Sequence, residues 1–282
     1  MRIDAHQHYW HYDAGEYAWI DARMQRIARD FLPEHARAAM ATCGVDGSIA
    51  VQARQSLTET RFLLELANRH PGVLGVVGWV DLCHTDVDDV LRVLCRDPRL
   101  RGIRHIVQDE PDDAFLLRED FQRGVGALAR HGLVYDVLIY PRQLAAADAF
   151  VAALPEQPFV LDHVAKPDLA HGRLDQWEPG LRALARHPNL ACKLSGLVTE
   201  AAWHAWRADH LHRCFDIAID AFGVDRLLFG SDWPVCLLAA RDYRQVHDVV
   251  ADWAERLAPA ERAALFGGNA ARVYGIGRNG IA

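Results

Sequence analysis

Long apolar runs are missing from this sequence. No window approaches the roughly 18 consecutive apolar residues of a membrane-spanning helix, so no membrane partner is expected. No basic stripe is present either: 31 Lys and Arg lie interspersed among 38 Asp and Glu, for a net charge of −7. That balance argues against nucleic acid as a main partner. The cysteines Cys43, Cys83, Cys95, Cys192, Cys214 and Cys236 form no C-x-x-C pair, and several sit in apolar segments. They read as buried thiols in a reducing compartment and not as a disulfide framework. The opening residues carry no apolar leader segment, and the expected location is the cytoplasm. No G-x-G-x-x-G follows the first strand candidate, and G-x-S-x-G and phosphate-cradling loops are absent. Linkers, repeats and low-complexity tracts are missing too. The oligomeric state is not legible.

What is present is alternation. At 51% hydrophobic and 24% charged residues, the chain can bury a core. Eight short apolar runs read as strands: RIDAH, GSIAVQ, LGVVGWV, LRGIRHIV, LVYDVLI, FVLDH, LACKLSG and RLLFGSD, starting near residues 2, 47, 74, 100, 133, 159, 190 and 226. Segments of helical periodicity lie between them, among them TETRFLLELANRH, TDVDDVLRVLCRD, REDFQRGVGALARHG, LDQWEPGLRALARHPN and HLHRCFDIAIDAFG. The second of these begins with Thr and acidic residues and ends in Arg96, as the helix dipole prefers, and the third and fifth stop at a glycine. Strands alternating with helices imply a parallel sheet. Eight such units in 282 residues predict an α/β fold, a (β/α)8 TIM barrel, as one domain over residues 1–282. A doubly wound open sheet is the alternative. Residues 9–32 form an aromatic-rich insertion after the first strand, long enough to serve a function over the C-terminal mouth.

In barrels the chemistry lies at the C-terminal ends of the strands. Strand one ends in His6-Gln7-His8, an i, i+2 pair that projects to one face. Such a pair suits a divalent metal, an anion or a polarised carbonyl. Strand two runs into Gln52 and Arg54, and strand three offers Trp79. Strand four ends in Arg104-His105, and strand five carries Asp136 and leads to Tyr140. Strand six ends in Asp162-His163 with Lys166 in the following loop. Strand seven carries Lys193 and Ser195, and strand eight ends in Ser231-Asp232-Trp233. Taken singly, a histidine here reads as a satisfied core residue, Asp232 as a helix cap and Lys166 as a solvated loop charge. Their coincidence at one rim carries the argument. An aspartate beside histidines takes a proton from water, and a histidine, arginine or metal then stabilises the oxyanion.

The H-x-H pair, LDHVAKP, KLSG, GSDWPV and the closing GGNAARVYG together resemble the amidohydrolase superfamily. More narrowly, they are similar to the amidohydrolase-2 branch with its sugar-acid lactonases. VQARQSLTET resembles the second-strand region of the L-fuconolactonase and L-rhamnonolactonase group. The resemblance spans residue 2 to about 276 and implies a (β/α)8 hydrolase of esters or amides, here a lactone. It maps a metal set onto His6, His8, His163 and Asp232, with zinc as the expected ion and catalysis without metal left open. No lysine ends strand four, and strand five offers Asp136 in place of a histidine. A two-metal centre is therefore not expected. In the mechanism the resemblance implies, Asp232 activates water. His6, His8 and His163 hold the carbonyl directly or through one ion, and Arg104 and His105 polarise it or grip the ring oxygen.

For the substrate, Trp10, Trp79 and Trp233 offer apolar faces, while Gln52, Arg54, Lys166 and Tyr140 offer hydroxyl partners. That mix suits a small-molecule sugar lactone, such as the lactone of a 6-deoxy sugar acid. An anionic, muconolactone-like ring is the nearest rival. A metal-dependent non-oxidative decarboxylase on the same fold and a sugar-binding module with a dead site are the competing classes.

Overall fold

The computed structural model describes residues 1–277. Eight parallel strands follow one another around a single sheet in chain order: β1 (Ile3–Gln7), β2 (Gly47–Val51), β3 (Val73–Gly78), β4 (Leu100–His105), β5 (Val134–Val137), β6 (Phe159–Leu161), β7 (Leu190–Leu194) and β8 (Leu227–Phe229). The ring closes just beyond the strands. His6 O accepts from Asp232 N at 2.9 Å and Trp233 O from His8 N at 2.7 Å. All eight expected strands are present, and the fold is the TIM barrel that their alternation with helices implied.

Both faces of the strands are buried, which is why they read as near-continuous apolar runs. Alternate residues point inward. Ile3, Ala5, Ile49, Val51, Val134 and Val160, with Ala191 and Leu228, fill the barrel interior. Ala270 and Tyr274 from the C-terminal segment join that interior cluster. The outward residues pack under the helices in one continuous core.

The helices the periodicity marked are Leu57–Arg69, Val87–Leu94, Glu119–Leu128, Trp177–Leu184 and Ala208–Phe222. Ser56, two residues ahead of Thr58, caps the first, accepting from Thr58 N at 3.1 Å. Three further helices, Pro33–Thr42, Leu144–Ala153 and Tyr243–Ala254, complete the outer layer. Among the described residues no helix is long and apolar enough to cross a membrane. The 9–32 insertion is closed at its base by Trp10 and Phe31, whose backbones exchange hydrogen bonds of 2.8 and 2.9 Å. Inside it lies a single short helical turn, Ala22–Ile27.

Candidate active site

The floor of the site follows from strand parity. Two residues beyond the interior Val134, Val160 and Ala191 come Asp136, Asp162 and Lys193, and period two keeps all three inside. All are fully buried. The Lys193 ammonium lies 2.5 Å from Asp136 Oδ2, 2.9 Å from Asp162 Oδ1 and 3.1 Å from His6 Nδ1. One compact ammonium lies against two carboxylates and an imidazole nitrogen, a geometry a planar guanidinium would not match. Arg104 Nη1 donates to Asp162 Oδ2 at 2.9 Å. The Tyr274 hydroxyl lies 2.9 Å from each Asp136 oxygen. Burial pushes the Asp136 carboxyl up, to about 6. Burial acts the same way on Asp162, but Lys193, His6 and Arg104 together hold it well below the usual carboxylate range.

Above this floor the imidazoles and Asp232 converge. A register shift between Asp4 and Gln7 bends the end of β1. The Nε2 atoms of His6 and His8 lie 3.2 Å apart. Asp232 Oδ1 is 3.2 Å from His8 Nε2, 3.7 Å from His6 Nε2 and 4.0 Å from His163 Nε2. Gly230 makes room for the approach, since a Cβ there would sit 2.8 Å from His6 Cβ. Burial lowers His6 well below the usual imidazole range and His163 to about 4. For Asp232, burial raises the carboxyl, but the three surrounding histidines outweigh it and hold it well below the ordinary value.

His163 opens an unusual turn. His163, Val164, Ala165 and Lys166 all have φ between +50 and +55°. Left-handed backbone costs a non-glycine residue roughly 1–2 kcal/mol, so the surroundings must hold it. Trp177 Nε1 donates to Val164 O at 2.6 Å, and His163 Nδ1 lies 2.8 Å from Ser195 Oγ. Lys166 pairs with Glu200 at 3.2 Å. Gly196 (φ +68°) leaves space for the ring, because a Cβ would lie 2.4 Å from His163 Nδ1. The turn thus brings both His163 and Lys166 to one cavity of about 280 Å³, which His8, Arg104 and Asp232 also line.

The donor set fits one divalent ion. Zinc with bonds of roughly 2.0–2.1 Å and tetrahedral ligands needs donor atoms about 3.3 Å apart, close to the spacings among His6, His8 and Asp232. His8 Nδ1 lies 2.8 Å from Val51 O, so its proton sits there and Nε2 is free to ligate. With a proton on Nδ1 facing Asp162 Oδ1 at 3.4 Å, His6 offers Nε2 as well. With Lys193 donating to Nδ1 instead, Nε2 carries the proton toward Asp232.

Residues 3–276 match the family profile described as amidohydrolase. The chain belongs to the amidohydrolase family. An L-fucono-1,5-lactonase of Burkholderia multivorans is 48% identical over 287 aligned positions, covering 98% of this chain and 96% of that protein. An L-fucono-1,5-lactonase of Burkholderia ambifaria is 40% identical, covering 99% and 97%. A crystal structure of an amidohydrolase from Burkholderia multivorans with bound zinc superposes with a TM-score of 0.95 at 48% identity, covering 98% and 99%.

In this amidohydrolase the other residues marked from sequence divide into three groups. Arg104 and Lys166 line the cavity with the His–Asp cluster. Gln52 is buried beside Arg104, its backbone carbonyl accepting from Arg104 Nη2 and its amide 3.4 Å from Arg104 O. Arg54 is ion-paired with Glu16 and lies over the Tyr17 ring at 5.2 Å, which ties the insertion to the rim. Tyr140 lines a neighbouring cavity of about 690 Å³ that shares Lys166.

His105, Trp79, Trp10 and Trp233 lie apart from the cluster. Arg104 points inward, so its neighbour His105 points to the helix layer. There it stacks on Phe115 at 5.0 Å and bonds Glu110 at 2.6 Å. Trp79 Nε1 donates to that same ring at 3.4 Å. Trp10 is fully buried at the base of the insertion, with its indole N–H on Arg29 O. Trp233 packs against Phe31 and Tyr9.

Sequence reasoning assigned no role to Lys193, Asp136 or Asp162, and it did not single out Trp19 or Gln108, which line the cavity. One signal was available. The chain has only two lysines, Lys166 and Lys193, among its 31 Lys and Arg residues, and both lie at the site.

Proposed function

We propose that this amidohydrolase opens the ring ester of a neutral sugar-acid lactone of the L-fucono-1,5-lactone kind. The convergence of Asp232 Oδ1 with the Nε2 atoms of His6, His8 and His163 at the cavity carries the reading. The two lactonase relatives, at 48% and 40% identity, support the substrate class. The ionised Asp232 takes the proton of the attacking water. Arg104, with Nη1 3.3 Å from His6 Nε2, adds positive charge where the oxyanion develops on the lactone carbonyl. As the tetrahedral adduct collapses, the ring C–O bond breaks. Asp232 then returns its proton to the leaving alkoxide, giving a hydroxy acid whose carboxyl ionises. A divalent ion held by His6, His8 and Asp232 would supply Lewis-acid polarisation of the carbonyl.

Charge favours a neutral ring over an anionic one. The cations at the cavity are already paired, Arg104 with Asp162 and Lys166 with Glu200, and Asp109 adds a carboxylate to the lining. A substrate carboxylate would compete with these pairs instead of meeting a waiting charge. The test is a lactone panel in a pH-indicator assay. One proton per ring opened, fastest on neutral aldonolactones, is expected. Preference for anionic rings, or release of carbon dioxide from aromatic acids, would contradict the reading.

A further inference from the structure

Strict alternation along β1 would turn His6 away from the barrel interior. Ile3 and Ala5 both lie in the interior cluster, so period two assigns the next inward place to Gln7. The structure does the reverse. His6 meets the interior Lys193 at 3.1 Å, while the Gln7 amide turns out to Asp4 at 2.7 Å. The cause is one extra residue in β1. Asp4 pairs with Ser48 and Gln7 with Ala50, so three residue steps in β1 face two in β2. That is a β-bulge, and bulges beside active sites re-aim side chains.

A bulge leaves backbone groups without ladder partners, and the Asp4 carboxylate takes two of them up. Its Oδ1 accepts from His6 N at 3.1 Å and from Ser231 N at 2.8 Å. Its Oδ2 accepts from Gln7 Nε2 at 2.7 Å and from the Tyr243 hydroxyl at 3.1 Å. Ser231 directly precedes Asp232, whose φ of +58° is left-handed, a conformation the surroundings must hold. One oxygen thus clasps the backbone that carries His6 to the backbone that carries Asp232. Asp4 is fully buried, and these four donors are uncharged. Burying a carboxylate against uncharged groups is costly, and an apolar side chain of similar volume would serve packing alone.

We propose that Asp4 is a positioning residue for the ring opening: by holding the β1 bulge against the turn after β8, its carboxylate aims His6 and His8 at Asp232. Asp4 acts from the helix side of the strand, beside Tyr243, and does not line the cavity. The inference rests on the lactonase reading. The test compares kcat and KM for L-fucono-1,5-lactone, per folded molecule, in the unaltered protein and in four variants. Asp4→Ala and Asp4→Leu remove the acceptor. Their kcat is expected to fall by about tenfold or more with KM within about threefold, since a misplacement of about 1 Å costs up to about a hundredfold. Asp4→Asn keeps a carbonyl oxygen for the two backbone donors, and Tyr243→Phe removes only a contact to Oδ2. Both are expected to lose stability in urea yet keep kcat within about threefold. Where an apolar variant does not fold in buffer, every protein is assayed in trimethylamine oxide, which favours the folded state. Parent kcat in folded Asp4→Ala or Asp4→Leu, or an equal loss of kcat in Asp4→Asn, would overturn the inference alone. No lactone turnover by the unaltered protein would overturn the lactonase reading and this inference with it.

Discussion

His8 Nδ1 lies 2.8 Å from the carbonyl oxygen of Val51, at the end of the neighbouring strand. That one contact fixes the tautomer and turns the Nε2 lone pair toward Asp232. A strand-end carbonyl cannot rotate away, so the ring is oriented before any ligand arrives. A zinc titration against a chromogenic chelator is expected to find one ion per chain. His8→Ala is expected to weaken it by about a hundredfold or more. Unchanged affinity in that variant would remove His8 from the ion's ligands.

Lys193 neutralises two buried carboxylates at once. Lys193→Met leaves Asp136 and Asp162 without it, and removing one partner of a buried pair costs about 3–5 kcal/mol. Urea unfolding is expected to report a loss of that order. Adding Asp136→Asn to Lys193→Met is expected to recover part of it, because one uncompensated charge disappears. Equal stability of the single variant and the parent would contradict the charge network.

Glu59 sits beneath the insertion, accepting from Ala53 N, Arg54 N and the Tyr17 hydroxyl. Burial raises its carboxyl from 4.5 to about 7. Between those values the folded chain holds a proton that the unfolded chain has released. Its contribution therefore falls as pH rises, by roughly 3 kcal/mol across the window. Glu59→Gln mimics the protonated form and removes the penalty. The stability of the variant relative to the parent is expected to climb by about that amount between pH 4.5 and 7.5. A difference that stays flat with pH would contradict it.

His105 faces the helices, so His105→Phe is expected to leave kcat/KM on a sugar lactone within about threefold. Loss of activity by a factor of about a hundred would place the ring in the chemistry after all.

The barrel was legible because each strand is an apolar run bounded by polar residues, and the rim residues sit where those runs stop. His6, His8, His163 and Asp232 could be read from strand ends alone. The Asp136–Asp162–Lys193 floor could not, because it depends on which parity faces inward in three separate strands. Parity also separates Arg104 from His105: neighbours on one strand point to opposite faces. Trp19 was hidden for another reason. Which indole of the insertion reaches the cavity depends on how Trp10 and Phe31 close the loop, a contact 21 residues apart in sequence that no local pattern encodes.

The central claim is that Asp232 moves the proton of the attacking water. It is tested most directly by L-fucono-1,5-lactone hydrolysis, above the spontaneous rate, in the unaltered protein and in Asp232→Asn, with folding verified by circular dichroism. The asparagine variant is expected to lose at least about a hundredfold in kcat. A folded Asp232→Asn protein that hydrolyses the lactone at the parent rate would contradict the account.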